Sequence, residues 1–358
     1  MDSGDKPRLS VLVFGAGAIG TYVGGSLALR GEKVVFLERP EVAAELRERG
    51  LRLNLNGTEL YIPNPNVVAA LNEALSEGSF DFAIFGLKSY DTHSVTESLA
   101  PYAVNIPPLL CLQNGVDNEP MLEAVLGPSK VIPGTVTSAI GRRAAGDIVV
   151  ERQRGVGVSS GHPASTLILA ALNAAHIWAR PYQRPADMKW SKMLTNLLAN
   201  ATSAILDMPP VEIFAHPGLC QLEIAQLREA LRVMSTQRIH VVDLPGTPVR
   251  ALAFAVRALP FSLVRPILQR GAGHGRGKKM PSFHIDLHSG RGQTEVAYLN
   301  GAVVRYGEQL GIPIPVNRLL NDVLQGLAAG KLTLDTFSHQ PEKLLELIPP
   351  PHKTATVG

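Results

Sequence analysis

The chain has 358 residues, a formal net charge of +3 and 45% hydrophobic residues, a length and composition that suggest two domains, or one large one, with a buried core. The small net charge does not favour a nucleic-acid-binding protein. The two cysteines, Cys111 and Cys220, form neither a disulfide framework nor a C-x-x-C motif. No apolar run reaches membrane-spanning length, and the first six residues are polar, unlike a signal peptide. We therefore expect a cytoplasmic protein that binds neither nucleic acid nor a membrane.

The first half of the chain alternates predicted strands with predicted helices. Apolar runs predict strands at residues 9–14, 33–37, 80–87, 109–112 and 130–136, with short added strands at 148–150 and 155–159. Helical spacing predicts helices at 19–30, 41–49, 91–103 and 118–126. Asn56-Gly57 predicts a hairpin between residues 51–55 and 59–62. This order predicts an α/β fold with a Rossmann-type, doubly wound parallel sheet.

After the predicted sheet the pattern becomes helical. Helices are predicted at residues 186–206, 216–240 and 294–310, and strand signals stop. We therefore predict a Rossmann-type α/β domain at residues 1–184, an all-helical C-terminal domain at 185–340, and an extended or disordered tail at 341–358. The Gly- and Arg-rich residues 265–279 do not fit a P-loop, and we predict a flexible loop there.

A glycine-rich turn lies between the first predicted strand and the first predicted helix. Gly15 permits a tight turn, Gly17 lets a pyrophosphate approach the backbone, and Gly20 lets the helix pack close to the strand. Glu38 follows about 20 residues later, as in dinucleotide-binding folds. The pattern predicts a phosphate-binding loop made of Gly15, Ala16, Gly17, Ala18, Ile19 and Gly20.

Polar residues follow three of the predicted parallel strands. The segments are Leu87-Lys88-Ser89, Gln113-Asn114-Gly115 and Pro133-Gly134-Thr135. Ligands of open α/β sheets bind at the carboxyl ends of the strands. These residues are therefore better placed for binding than for packing.

A polar stripe marks the first helix of the predicted helical domain. Lys192, Asn196 and Asn200 are spaced i, i+4, i+8, which places them on one face of a continuous helix. The other faces are apolar, so we expect the stripe to face a polar cleft. An ordinary surface edge of a helix is the alternative.

A second polar cluster includes Ser282, Asp286 and Thr294-Glu295. Thr294 and Glu295 could equally be first-turn residues that stabilise a helix N-terminus. His284 and His288 are four residues apart, but no third ligand accompanies them in the sequence. We interpret them as not binding a metal.

These motifs, in this order, resemble the ketopantoate reductase family, which comprises 2-dehydropantoate 2-reductases and their relatives. The resemblance covers roughly residues 9–330. It rests on the glycine loop, Leu87-Lys88, Leu112-Gln113-Asn114-Gly115, Gly134-Thr135, Trp190-Ser191-Lys192 with Asn196 and Asn200, Pro281-Ser282 with Asp286, and Thr294-Glu295 with Asn300-Gly301.

The resemblance implies NADPH-dependent reduction of a 2-oxo acid to a 2-hydroxy acid, the reductive step of pantothenate biosynthesis or a related reaction. Lys192 matches the catalytic lysine that donates a proton to the ketone oxygen, and Glu295 matches its partner carboxylate. The implied cofactor-binding residues are the glycine loop, Arg39, Leu87, Lys88, Asn114 and Thr135. The implied substrate-binding residues are Asn114, Asn196, Asn200, Ser282 and Lys279.

Some choices stay open at this point. Arg39 matches the family's arginine for the 2′-phosphate of NADP, whereas Glu38 stands where NAD enzymes bind the ribose, so NAD is the alternative cofactor. The family usually has other residues at Lys279, Phe283 and Val136, and we expect Lys279 and Phe283 to favour a bulkier or more acidic 2-oxo acid. Two alternative hypotheses for the function are an opine-type NAD-linked dehydrogenase and a non-catalytic dinucleotide sensor. A homodimer is the assembly considered.

Overall fold

The computed structural model describes residues 8–275 and 279–348. The described residues form two compact units. The N-terminal unit comprises the described part of Met1–Lys192 together with Val242–Pro248, and the C-terminal unit comprises the described parts of Met193–Val241 and Val249–Gly358. Within the described residues, no helix is both long enough and apolar enough to span a membrane.

The strands all belong to the N-terminal unit. They are β1 Ser10–Phe14, β2 Lys33–Leu37, β3 Leu51–Leu55, β4 Thr58–Ile62, β5 Asn66–Val68, β6 Phe82–Phe85, β7 Leu109–Cys111, β8 Val131–Val136, β9 Ala139–Ala144, β10 Asp147–Arg152, β11 Val156–Ser159 and β12 Ala179–Tyr182.

The first six helices belong to the N-terminal unit, and α7 begins there. The helices are α1 Ala18–Leu29, α2 Pro40–Arg49, α3 Leu71–Ser76, α4 Thr92–Leu99, α5 Asn118–Leu126, α6 Ser165–Ala174, α7 Pro185–Leu197, α8 Asn200–Leu206, α9 Pro210–Ala215, α10 Pro217–Thr236, α11 Val249–Ala258, α12 Phe261–Gly275, α13 Ser282–Leu287, α14 Asn300–Gln309, α15 Pro315–Ala328 and α16 Pro341–Leu345. Short 3₁₀ turns include Ser89–Asp91 and Glu295–Tyr298.

The main sheet has eight strands in the order β12-β11-β8-β7-β6-β1-β2-β5. The run from β8 to β5 is parallel, as predicted, whereas β11 pairs antiparallel with β8, so the sheet is mixed. Alternate residues of β1 enter two different cores: Val11 and Val13 pack on one face, and Leu12 and Phe14 pack on the other. The sheet is therefore buried on both faces, as a doubly wound fold requires.

A second sheet has the order β4-β3-β10-β9. Its hairpin is the predicted one, because Leu55 pairs with Thr58 across Asn56 and Gly57, which both have positive φ. The strands β5, β9 and β12 have no counterpart in the sequence prediction.

The predicted continuous helix at residues 186–206 is wrong. Helix α7 ends at Leu197, and Ala199 has a left-handed φ of +51° before α8 begins. The buried Glu223 carboxylate stabilises this break, since it accepts hydrogen bonds from Ala199 N at 2.7 Å and from Thr202 Oγ1 at 2.6 Å. Asn200 therefore starts a new helix, and the regular helical spacing between it and Lys192 and Asn196 is interrupted.

The flexible loop predicted at residues 265–279 is also wrong as far as Gly275, because α12 continues to that residue. Val264 and Leu268 are buried one turn apart, and Arg265 Nη2 donates to Ala215 O at 2.6 Å. Tertiary contacts therefore hold a helix that the local composition disfavours. Residues 276–278 lie outside the described residues.

The start of the predicted tail is ordered. Residues 341–345 form α16, Leu344 is fully buried, and His216 Nε2 lies 3.1 Å from Glu342 Oε1. The prediction of a disordered tail rested on composition, which does not show that the Leu344 side chain becomes buried. Residues 349–358 lie outside the described residues.

Candidate active site

The glycine loop joins β1 to α1 in a tight turn. Gly15 has a φ of +89°, which favours glycine, and its N–H donates to Leu37 O at 2.9 Å. A Cβ at Gly20 would lie 1.9 Å from Gly15 O, so only glycine fits there. The predicted role of Gly20 in close packing is therefore visible in the geometry.

The second glycine of the loop has open space beside it. A Cβ at Gly17 would meet no described atom within 4 Å. Glu38 Oε1 accepts a hydrogen bond from Ala16 N at 2.7 Å, and Glu38 Oε2 accepts one from Arg39 N at 3.1 Å. Glu38 thus fixes the loop from the end of β2. The Arg39 side chain is exposed and makes no ion pair with any residue that the structure describes.

The loop lies where the strand order reverses. β1 pairs with β2 on one side and with β6 on the other, so the strands that follow extend the sheet in opposite directions from β1. Leu87, just after β6, packs onto the loop, because its Cδ2 lies 2.6 Å from the position of a Cβ on Gly15. The structure therefore brings together Gly15, Leu87 and Glu38, which are distant in sequence.

A polar network joins the loops that follow β6 and β7. Gln113 Nε2 donates to Thr92 Oγ1 at 2.8 Å and to Lys88 O at 3.2 Å. Asn118 Nδ2 donates to Asn114 O at 2.6 Å, and Ser89 Oγ donates to the same carbonyl at 3.0 Å. These bonds fix the backbone at two predicted cofactor residues, Lys88 and Asn114.

Lys189, which the sequence analysis missed, lies at the centre of these strand ends. Its Nζ is 2.7 Å from Glu119 Oε1 and donates to Gln113 O at 2.7 Å and to Gly134 O at 3.3 Å. Both charged side chains are buried. Burial lowers the pKa of Lys189, whereas the Glu119 carboxylate and, to a smaller extent, Cys111 raise it, and the net result is a raised pKa. The position of Lys189 between the large apolar residues Met188 and Trp190 was the available signal, but its partner is 70 residues away.

Burial, followed by the charge of Glu119, raises the pKa of the neighbouring Cys111 thiol well above its usual value. The thiol is therefore protonated at neutral pH and is not a reactive nucleophile. Both cysteines are free, as their spacing led us to expect, and both are buried.

In the C-terminal unit, Asn200 joins α8 to the start of α13. Its Nδ2 donates to Ser282 Oγ at 3.3 Å, and its Oδ1 accepts from Phe283 N at 3.0 Å. Ser282 and Lys279 are exposed. The Phe283 ring is fully buried and belongs to the hydrophobic core. Its expected effect on substrate choice stays a prediction.

The remaining predicted residues are distributed over both units. Lys192 is half-buried on α7 in the N-terminal unit, and Thr135 is buried within β8. Asn196 and the buried Glu295 belong to the C-terminal unit. Thr294 caps the 3₁₀ turn that Glu295 begins, because its side chain accepts from Val296 N at 3.4 Å.

Sequence models of the family described as Ketopantoate reductase PanE/ApbA match both parts of the chain. The N-terminal model matches residues 11–161, and the C-terminal model matches residues 186–328. The chain belongs to this family. The resemblance inferred from its motifs is thereby confirmed.

Individual relatives are similar over most of their length. The 2-dehydropantoate 2-reductase of Archaeoglobus fulgidus is 27% identical over 325 residues, which cover 89% of this chain and 98% of that protein. A crystal structure of a PanE/ApbA family ketopantoate reductase from Ralstonia eutropha has a TM-score of 0.76 at 23% identity, with 90% of this chain and 99% of that chain covered. A ternary structure of D-mandelate dehydrogenase with NADH and anilino(oxo)acetate has a TM-score of 0.74 at 19% identity, with 91% and 99% covered. These structural likenesses support the predicted fold, an α/β unit followed by a helical unit.

Proposed function

We propose that the protein is an NADPH-dependent reductase that converts a 2-oxo acid, 2-dehydropantoate or a related keto acid, into the 2-hydroxy acid. The observation that carries this proposal is the glycine loop at the reversal point of the sheet, in a member of the ketopantoate reductase family. The name of the Archaeoglobus fulgidus relative supports 2-dehydropantoate as the first substrate to test.

The loop fits a dinucleotide. The space beside Gly17 would let a pyrophosphate approach the backbone, and the N-terminus of α1, a helix of 12 residues, favours an anion there. Leu87, Lys88 and Asn114 follow β6 and β7 at the same edge of the sheet, where we propose that they contact the nicotinamide half. Thr135 is assigned to the cofactor only by its place on the neighbouring strand β8.

A nicotinamide dinucleotide would supply the hydride. Negative charge then develops on the ketone oxygen, and a lysine ammonium stabilises that charge and donates the proton. We assign this role to Lys192 and assign Glu295 as its partner carboxylate. Asn196, Asn200, Ser282 and Lys279 are the proposed donors to the substrate carboxylate and hydroxyl groups.

The preference for NADP over NAD is proposed from Arg39 and Glu38. Both Glu38 oxygens accept backbone hydrogen bonds, whereas the Arg39 guanidinium is exposed and has no ion pair with a described residue. A guanidinium can bind a 2′-phosphate through two donors at once. These observations favour NADP, with NAD as the alternative.

The test is a substrate panel with NADPH and NADH, followed by the Lys192→Ala variant on the best substrate. The panel contains 2-dehydropantoate, bulkier and more acidic 2-oxo acids, and each keto acid with added amino acids to detect an opine-type reaction. We expect Lys192→Ala to lower kcat at least about a hundredfold, in the range for loss of a general acid, with NADPH affinity retained.

Lys331→Ala is the matched control, because Lys331 is an exposed lysine outside the proposed site. It should leave kcat unchanged. A Lys192→Ala protein that binds NADPH and keeps near-normal kcat would refute the assignment of the proton donor. A wild-type protein that binds NADPH and reduces no 2-oxo acid in the panel would instead support a sensor without catalytic activity.

A further inference from the structure

Two histidines and one aspartate meet on the surface of the C-terminal unit. Asp207 follows α8, whereas His284 lies on α13 and His288 directly after it. His284 Nε2 is 2.7 Å from Asp207 Oδ1, and the two imidazole rings stack with centroids 4.0 Å apart. One potential ligand atom from each residue lies within 4.8 Å of the others. The fold thus supplies the third ligand that the sequence pattern lacked.

The hydrogen bond of His288 leaves a nitrogen free for ligation. His288 Nδ1 lies 3.0 Å from His284 O, and a carbonyl oxygen can only accept, so Nδ1 carries the proton. In the neutral ring Nε2 then holds the lone pair. Donation of the second ring nitrogen to a backbone carbonyl is the usual way in which a metal-binding histidine is oriented.

The exposure and backbone of the three residues suit a site open on one side. The Asp207 side chain is 46% exposed and that of His284 is 16% exposed, so a hydrated ion can enter. Asp207 has a left-handed φ of +52°, an uncommon conformation outside glycine. Its carboxylate forms the 2.7 Å contact with His284.

We propose that Asp207, His284 and His288 bind a divalent metal ion of the Zn²⁺ type. Imidazole and carboxylate donors suit Zn²⁺, and two histidines with one carboxylate leave a fourth position for water. Ligand atoms at Zn²⁺ distances of about 2.0–2.1 Å lie about 3.3 Å apart in a tetrahedral site.

A bound ion would link two helices at a second point. Asn200 already joins the N-terminus of α8 to Ser282 and Phe283 on α13. Asp207 follows the C-terminus of α8, and His288 follows the C-terminus of α13. Metal binding should therefore stabilise the folded C-terminal unit, since a ligand that binds only the native state raises its stability. The inference does not depend on the reductase activity.

The test is isothermal titration of the untagged, EDTA-treated full-length protein with ZnCl₂, followed by the visible absorption of bound Co²⁺. We expect saturable 1:1 binding and a higher Tm when Zn²⁺ is present. His288→Ala and Asp207→Asn should each weaken binding at least about tenfold, because even residues that only orient ligands contribute ten- to a hundredfold.

The matched control is His93→Ala. His93 is exposed and its Nδ1 lies 3.6 Å from Glu97 Oε1, but no third potential ligand accompanies this pair among the residues that the structure describes. This variant should bind Zn²⁺ as the wild type does. The proposal is overturned if the wild type shows no saturable binding, or if folded His288→Ala protein, checked by circular dichroism, binds with unchanged affinity. In either case the three residues are only a hydrogen-bonded contact between two helices.

Discussion

Breaking the buried ion pair of Lys189 and Glu119 should strongly destabilise the N-terminal unit. The ammonium of Lys189 has three N–H donors, and three oxygens surround it: Glu119 Oε1, Gln113 O and Gly134 O. Glu119→Gln removes the compensating charge and leaves the ammonium buried. Lys189→Met removes the cation and leaves a buried carboxylate and two carbonyls without this donor.

The side chains of the pair are only 6% and 8% exposed, so solvent screens their charges little. Removal of one partner of such a pair costs about 3–5 kcal/mol. The double variant leaves no buried charge and should recover much of that loss, because apolar replacements of buried pairs are often close to neutral. The pKa of Lys189 is raised in the folded protein. The ion pair should therefore contribute fully to the free energy of unfolding below the unfolded pKa of lysine, about 10.4, and this contribution should disappear as the pH rises through the higher folded pKa.

Urea unfolding followed by tryptophan fluorescence measures these effects. The chain has two tryptophans, Trp178 and Trp190, and both belong to the N-terminal unit, so their emission reports on that unit. The exposed pair of Lys33 and Glu77 is the control, and Lys33→Met should cost less than about 1 kcal/mol. If Glu119→Gln and Lys189→Met each cost no more than this control, the pair does not hold a buried charge in solution.

Two further predictions concern the cofactor loop. Gly20→Ala should destabilise the fold, since its Cβ would meet Gly15 O at 1.9 Å. Gly17→Ala should keep the wild-type Tm and lose NADPH affinity, because the space beside Gly17 is open. Equal effects of both variants on Tm, measured by calorimetry, would contradict the loop geometry. Arg39→Ala should weaken NADPH binding by about ten- to a hundredfold, as expected for charge-assisted bonds of about 1.5–3 kcal/mol, and leave NADH binding nearly unchanged. A similar loss for both cofactors in fluorescence titrations would direct attention to Glu38.

Local patterns predicted the elements that depend on short-range physics. Buried parallel strands are continuous apolar runs, and Asn56-Gly57 requires positive φ values, so β1, β6 and the β3–β4 hairpin could be recognised from the sequence. The break at Ala199 could not. It depends on Glu223, whose carboxylate holds a left-handed backbone from a helix later in the chain.

In the candidate site, too, local features could be predicted and long-range contacts could not. The glycine loop could be predicted, because Gly15 and Gly20 each satisfy a local steric requirement that excludes other residues. The Lys189–Glu119 pair and the contact of Asp207 with His284 are formed by residues about 70 to 80 positions apart, so they exist only in the fold. The burial of the Phe283 ring could not be predicted either, because adjacency to Ser282 in sequence does not show which way a ring points on a helix.

Lys189 lies three residues before Lys192 on α7, which suggests how the proposed proton donor is positioned. Three helical residues rise about 4.5 Å, so the anchored Lys189 fixes the backbone one turn from Lys192. The anchor points, Gln113 O and Gly134 O, belong to residues adjacent to the proposed cofactor contacts Asn114 and Thr135.

Lys189→Met should therefore lower kcat at least about tenfold, since misplacement of a catalytic group by about 1 Å can cost about a hundredfold. The NADPH dissociation constant should change less than kcat, because Lys189 is not itself a proposed cofactor contact. Both quantities are measured at a temperature where the variant is fully folded by tryptophan fluorescence. A folded variant with unchanged kcat would show that the position of Lys192 does not depend on the buried pair.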